Sequence, residues 1–175
     1  DVIGTIAQQA SKTLGVLIVT GDTDAFQLVK DERVTVYMPP RNNDDAKEYG
    51  ETEVMEKMDV TPAQIIDFKA LSGDASDNIP GVAGVGSKTA AALLREFGSV
   101  DGIYNGLAQP ETLTESQKKV LKPKLVQNLA DGHQSAILSR QLATIDCAVP
   151  ITFSLEDCAV TKYDKKVVSA LFEKL

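Results

Sequence analysis

The sequence predicts an α/β fold in two parts, a parallel sheet leading into a mainly helical second half. Three observations predict it. Val16-Leu17-Ile18-Val19 is a short, continuous apolar run, the pattern of a strand buried on both faces of a parallel sheet. A helix, that strand, a short helix and a second β-branched run, Val34-Thr35-Val36-Tyr37, follow one another in the first forty residues. Beyond residue 61 the apolar spacing is helical nearly throughout.

The elements follow in order. Residues 2–13 read as an amphipathic helix stopping near Gly15, and Asp24–Val29 as a short helix after the break at Gly21. Pro39 to Asp45 is a polar loop, and Thr52–Met58 a short helix. Thr61-Pro62 starts a helix to about Leu71, with Thr as N-cap and Pro in the first turn. A turn-rich stretch, Gly73 to Pro80, precedes a helix from Ser87 to Phe97 that Gly98 ends, and Ser99 caps the next. Thr114–Arg140 is helical with an interruption at Pro123, residues 143–153 could hold short extended segments, and Tyr163–Leu175 forms a closing helix. The expected parts are residues 1–72 (α/β) and 73–175 (helical).

Composition narrows the function classes. The chain has 175 residues, 43% of them hydrophobic, which excludes a mostly disordered protein. It lacks Trp and has 5% aromatics, so Ala, Val, Leu and Ile must build the core. No apolar run approaches membrane-spanning length and no signal peptide is visible, so no membrane partner is expected. Two scattered cysteines, Cys147 and Cys158, make no disulfide framework, and a reducing cytoplasm is the expected location. The chain starts at Asp1, inside helical spacing, and is expected to be part of a longer polypeptide. The net charge of -7 argues against nucleic-acid binding unless carboxylates hold cations, which would reverse the local field.

Two acidic pairs invite that reading. Asp22 and Asp24 directly follow a strand, where sites form at the carboxyl edge of parallel sheets. Asp74 and Asp77, at i and i+3, share a face if the turn is helical. Each pair has an alternative reading as helix capping or Asx-turn chemistry. Four carboxylates brought together would repel without a cation among them, and hard oxygen donors favour magnesium or manganese. The one histidine, His133, reads as a surface residue, so a zinc site of His and Cys is not expected.

Gly81-Val82-Ala83-Gly84-Val85-Gly86-Ser87-Lys88-Thr89 tempts a P-loop reading, but Ser87 separates Gly86 from Lys88 and no buried strand precedes it. A hairpin between two helices fits better. Its glycines permit a tight turn, and the helix starting at Ser87 offers free N–H groups to a phosphate beside Lys88. Such a hairpin would hold DNA without reading sequence. A purely structural helix–helix turn is the alternative.

Taken together, Asp1 to Thr5, Thr20 to Asp24, Gly73 to Thr89 and Gln141 to Ile145 resemble the 5′-nuclease (5′-3′ exonuclease) domain of bacterial DNA polymerase I, in the flap-endonuclease superfamily. The resemblance covers nearly the whole chain. It implies a PIN-like sheet, a helix–three-turn–helix DNA element, and a two-metal magnesium (or manganese) nuclease. The implied activity is cutting 5′ flaps and removing nucleotides and primers from 5′ ends of DNA in replication and repair, beside a covalently linked polymerase domain. It implies Asp22, Asp24, Asp74 and Asp77 as catalytic metal ligands and Asp1 as the last member of an earlier acidic cluster. It further implies Gly81, Val82, Gly84, Val85, Gly86, Ser87, Lys88 and Thr89 as the DNA-binding hairpin, whose carbonyls can also hold potassium. The family's N-terminal part, with its first strand and further aspartates, is expected to precede Asp1, so the first metal site is expected to be incomplete within these residues. The isolated chain is therefore expected to bind DNA weakly and cleave poorly. Lys118, Lys119, Lys122 and Lys124 could add phosphate contacts, or form an ordinary solvated helix face.

Two rival readings remain. A non-catalytic helix–hairpin–helix DNA-binding module would use the hairpin alone. A haloacid-dehalogenase-type phosphatase almost fits Asp22-Thr23-Asp24 and Gly73-Asp74 to Asp77, but Phe26 replaces a small residue, the second spacing is one short, and residues 81–89 go unexplained.

Overall fold

The apolar run Val16–Val19 forms β1 and pairs in parallel with β2 (Val34–Met38), matching Val16 with Val34 and Val19 with Tyr37. The computed structural model describes residues 1–30, 32–40, 45–156, 158–159 and 164–174. A third strand, β3 (Lys47–Tyr49), pairs antiparallel with β2, so the sheet order is β1-β2-β3 and the sheet is mixed. The sequence gives β3 no alternation, since two of its three residues are charged. Tyr49 anchors it, 7% exposed, with its ring 4.8 Å from that of Phe26.

The helices are α1 (Val2–Ala10), α2 (Glu51–Met58), α3 (Ile65–Ser72), α4 (Ser87–Phe97), α5 (Val100–Ala108), α6 (Glu115–Val120), α7 (Pro123–Asp131), α8 (His133–Ala143) and α9 (Lys165–Phe172). Residues Thr23–Leu28 and Pro62–Gln64 form 3-10 turns. No helix among the described residues is long and apolar enough to cross a membrane.

Several expectations change. β1 is not buried on both faces: Ile18 is buried, whereas Leu17 and Val19 are 51% and 63% exposed. Its apolar run therefore covers one packed face and one open face of an edge strand. The helical stretch expected over 114–140 breaks at Pro123 as read, but a second break at Gly132 makes it three helices. A Cβ on Gly132 would lie 2.7 Å from Val82 Cγ1, so that turn is pressed against the glycine-rich hairpin. Residues 143–153 contain no strand. They run back across the first half instead, where Gln27 donates to Ala143 O and accepts from Ile145 N, both at 2.9 Å. Buried Thr5 accepts from Val149 N at 3.1 Å. The closing helix begins at Lys165, with Asp164 accepting from Lys166 N. Tyr163 and Leu175 lie outside the described residues, as do residues 41–44 of the expected loop.

The core is aliphatic, as the composition requires. Ile65, Leu71, Leu93, Leu94, Ile103 and Leu129 are fully buried, each contributing about 1.5–3 kcal/mol by removal from water. At its centre, α3 is buried nearly all round, which marks a helix enclosed by others. It nonetheless carries two buried charges, Asp67 and Lys69. Asp67 accepts from Val100 N at 3.0 Å and pairs with Arg140 Nε at 3.1 Å, and Arg140 reaches Asp101 at 2.9 Å. The Asp101 hydrogen bond raises the Arg140 pKa above its ordinary value. This network ties α3, α5 and α8 together.

Candidate metal centre and nucleic-acid interface

Asp24 enters the site from the 3-10 turn after β1. Asp74 and Asp77 enter from the loop after α3, where Gly73, at φ 71°, turns the chain out of the helix. Asp74 and Ile79 then exchange backbone hydrogen bonds at 2.9 and 2.8 Å, pinching residues 74–79 into a closed loop. Asp74 Oδ1 accepts from the Ser76 amide and hydroxyl at 2.9 and 2.5 Å, so the Asx-turn chemistry is real and coexists with the site. One carboxylate oxygen from each of Asp24, Asp74 and Asp77 lies within 4.8 Å of the other two.

Asp22 stands apart from these three. It is exposed, and its Oδ1 accepts from Asp24 N at 2.9 Å, capping the 3-10 turn. Asp1 is exposed too, with Oδ1 accepting from Asp146 N at 2.8 Å. Asp1, Asp22 and Asp24 do line one cleft of roughly 270 Å³, floored by Ile18, Leu28 and Ala143. Asp24 thus belongs to both acidic groups.

The residue that sequence reasoning missed is Lys69. Its ammonium, 3% exposed as a residue, contacts Asp24 Oδ1 and lies 2.8 Å from Asp74 Oδ2. Lys69 and then Ser76, each by a side-chain hydrogen bond, hold the Asp74 carboxyl down at about 2. A signal for it existed: a lysine inside the apolar run from Ile65 to Leu71, five residues before Asp74, is out of place unless paired. The donor set fits a hard divalent cation, because three carboxylates supply only oxygen. Lys69 supplies the positive charge that lets two of them approach without one.

The hairpin lies just beyond. Gly81 and Gly84 take φ of 64° and 78°, in the left-handed region. A Cβ on Gly81 would meet Gly73 N at 2.3 Å, so the two ends of the acidic loop pass backbone to backbone. Helix α8 clamps this crossing: Gly81 N donates to Ser139 Oγ at 2.9 Å and Ser135 Oγ donates to Gly81 O at 2.6 Å. Val82 and Val85 are 3% and 4% exposed, so they belong to the core, and between them only Ala83 and Gly84 are open to solvent. Gly84, Gly86, Ser87 and Lys88 are exposed, and Thr89 is half-buried on the first turn of α4. His133 is exposed, as the sequence suggested, and stacks on Tyr104 at 4.1 Å.

Residues 1–59 match the 5'-3' exonuclease, N-terminal resolvase-like domain, and residues 60–166 match the 5'-3' exonuclease, C-terminal SAM fold. The chain belongs to the 5'-3' exonuclease family. Its sequence is 39% identical over 176 residues to DNA polymerase I of Bacillus caldotenax, covering 100% of this chain and 19% of that protein. DNA polymerase I of Bacillus subtilis (strain 168) is 40% identical over the same length, with the same coverage. The chain therefore spans about a fifth of these relatives. Among solved structures, T5 5′-exonuclease with bound divalent metal ions (zinc) superposes with a TM-score of 0.62 at 26% identity, over 80% of this chain and 48% of that one. The catalytic core of Rad2 in complex with DNA substrate superposes with a TM-score of 0.50 at 15% identity, over 82% and 48%, which supports the fold alone. In this exonuclease family the α/β part read from the sequence is the resolvase-like half, followed by the helical SAM half.

Proposed function

We propose that the chain serves as a metal-dependent, structure-specific 5′-nuclease acting on DNA with a 5′ flap or nick, within a DNA polymerase I-like protein of the cytoplasm. The observation that carries this reading is the convergence of Asp24, Asp74 and Asp77 directly before the glycine hairpin, in a chain of the 5'-3' exonuclease family. The linked polymerase domain rests on the polymerase relatives, of which the chain matches about a fifth. The cytoplasmic location rests on the free thiols of Cys147 and Cys158.

Asp24, Asp74 and Asp77 would hold one magnesium or manganese ion. Asp22 and Asp1, which line a cleft together with Asp24, would contribute to a second. Bound there, divalent ions would supply an activated water and charge stabilisation for the oxygens of the scissile phosphodiester. The chain's own residues do the rest. The carboxylates orient the reacting centre, and Lys69 keeps Asp24 and Asp74 in register. The exposed amides near Gly84 and Gly86, with Ser87, Lys88 and Thr89, grip the duplex away from the cut and fix its position. The backbone carbonyls of the hairpin would also hold a potassium ion.

A labelled 5′-flap duplex tests the reading, using the polypeptide that carries residues 1–175. Cleavage should require magnesium or manganese, and Asp74→Asn should lose it by at least a hundredfold while duplex binding persists. Cleavage that survives chelation, or that Asp74→Asn leaves intact, would overturn it. Binding without any cleavage would favour a non-catalytic helix–hairpin–helix module.

A further inference from the structure

In a chain of net charge -7, four lysines converge on one concavity of roughly 470 Å³ beside the hairpin. Lys88 comes from α4, Lys119 from the last turn of α6, and Lys122 and Lys124 from the start of α7. All four are exposed, and no acidic side chain lines the concavity among the described residues. None of the four forms an ion pair with a described residue, whereas neighbouring Lys118 turns away to Glu115 at 3.0 Å. The structure thus separates four lysines that look equivalent in sequence, 118, 119, 122 and 124, into one paired and three convergent.

The backbone adds to the charge. Helices α4 and α7 both begin at this concavity, after Gly86 and Lys122, and neither first turn is capped by a side chain. First-turn N–H groups at the positive end of each helix dipole therefore border the same space, those of α7 coming from Lys124 and Leu125 because Pro123 has none. Lys119 offsets the opposite dipole end of α6. The concavity also joins the hairpin directly: Gly84 lines it, and a Cβ there would lie 2.4 Å from Asn128 Nδ2 of α7.

We propose that Lys88, Lys119, Lys122 and Lys124, with the open first turns of α4 and α7, form a second phosphate cradle that extends the hairpin's hold along the backbone of duplex DNA. The inference deepens the proposed function and rests on its duplex-holding half. The chemistry selects backbone phosphate over bases. The floor is Ala92, Val120 and Leu125, with no aromatic ring on which a single-stranded base could stack. Lysine acts here as a point charge toward phosphate, so the contacts are independent of sequence.

Each neutralised phosphate of B-DNA contributes about 0.9 to the slope of log K against log salt. The triple variant Lys119→Ala, Lys122→Ala, Lys124→Ala should therefore bind a blunt duplex with a slope shallower by about 2.7. The loss should be the same on two duplexes of unrelated sequence. The measurement is fluorescence anisotropy in EDTA across a salt series, using the full chain. The control is Lys165→Ala, Lys166→Ala, Lys174→Ala, which removes the same charge from the distant end of the chain and should leave the slope nearly unchanged. Lys118→Ala should also leave it unchanged. An unaltered slope in the first triple, or an equal fall in the control triple, overturns the cradle alone. Failure of the unaltered chain to bind duplex at any salt overturns it together with the duplex-holding reading.

Discussion

The ammonium of Lys69 lies 2.8 Å from Asp74 Oδ2 while also contacting Asp24 Oδ1, so one buried cation joins the two halves of the chain at the acidic site. Lys69→Met would leave Asp24 and Asp74 facing each other across a partly buried gap. Breaking such a pair from one side costs about 3 kcal/mol. Urea denaturation in EDTA should show that loss. Manganese should then stabilise the variant more than it stabilises the unaltered chain, because the ion no longer competes with an ammonium. Equal stabilisation of both would remove Lys69 from the role of resident counter-charge.

The same contact sets an acid limit. In the metal-free chain Asp74 titrates at about 2, against an ordinary value of 3.8. A depressed folded-state value means the native state holds its proton less tightly than the unfolded chain. Its contribution is complete above pH 3.8 and is lost as pH falls from there through about 2. Ser76→Ala removes the second-largest cause, so its acid unfolding should begin at a higher pH. Circular dichroism between pH 5 and 2, with chelator present, reads this out, and superimposable acid limbs would contradict it.

The fold was legible where local pattern and packing agree. The Thr61-Pro62 start and the helix from Ser87 to Gly98 emerged as read, and Val16–Val19 emerged as a strand though not with both faces buried. The failures have physical causes. Strand β3 is held by one tyrosine against Phe26, a contact between residues 23 apart that no periodicity encodes. Half-exposure of Leu17 depends on what covers the sheet. The convergence of Asp24 with Asp74 and Asp77 follows the strand-end and spacing patterns, whereas Asp22, read from the same strand end, stands apart as a turn cap. Lys69 was missed because a charge on a helix is ordinarily assigned to a solvated face, whereas Lys69 points into the fold toward Asp24, 45 residues earlier, as well as Asp74.

Asp67 is the other of those charges, and its removal should be costly for a different reason. Arg140 is 40% exposed at its side chain, while Asp67 is 10% exposed. Arg140→Gln therefore leaves a nearly buried carboxylate with only the Val100 amide. A loss of about 2 kcal/mol is expected, less than for a fully buried pair because water screens the guanidinium. Asp101→Ala, at an exposed partner, should cost under about 1 kcal/mol. Thermal melts of the two single variants and the double check this, and the double should fall short of the sum if all three residues share one network.

Gly84 separates backbone strain from steric contact in the hairpin. Its φ of 78° disfavours any Cβ, by about 1–2 kcal/mol. The added methyl would also meet Asn128 Nδ2, the movable end of a side chain. Gly84→Ala should thus destabilise by about 2 kcal/mol, and adding Asn128→Ala should relieve the steric share but not the conformational one. Gly81→Ala differs in kind, because its Cβ would strike the backbone of Gly73, which cannot swing aside. That variant should unfold or lose the acidic loop's geometry, and with it the approach of Asp74 to Asp24. Denaturation curves rank the three. A Gly81→Ala chain as stable as Gly84→Ala would show that the crossing of residues 73 and 81 does not govern the site.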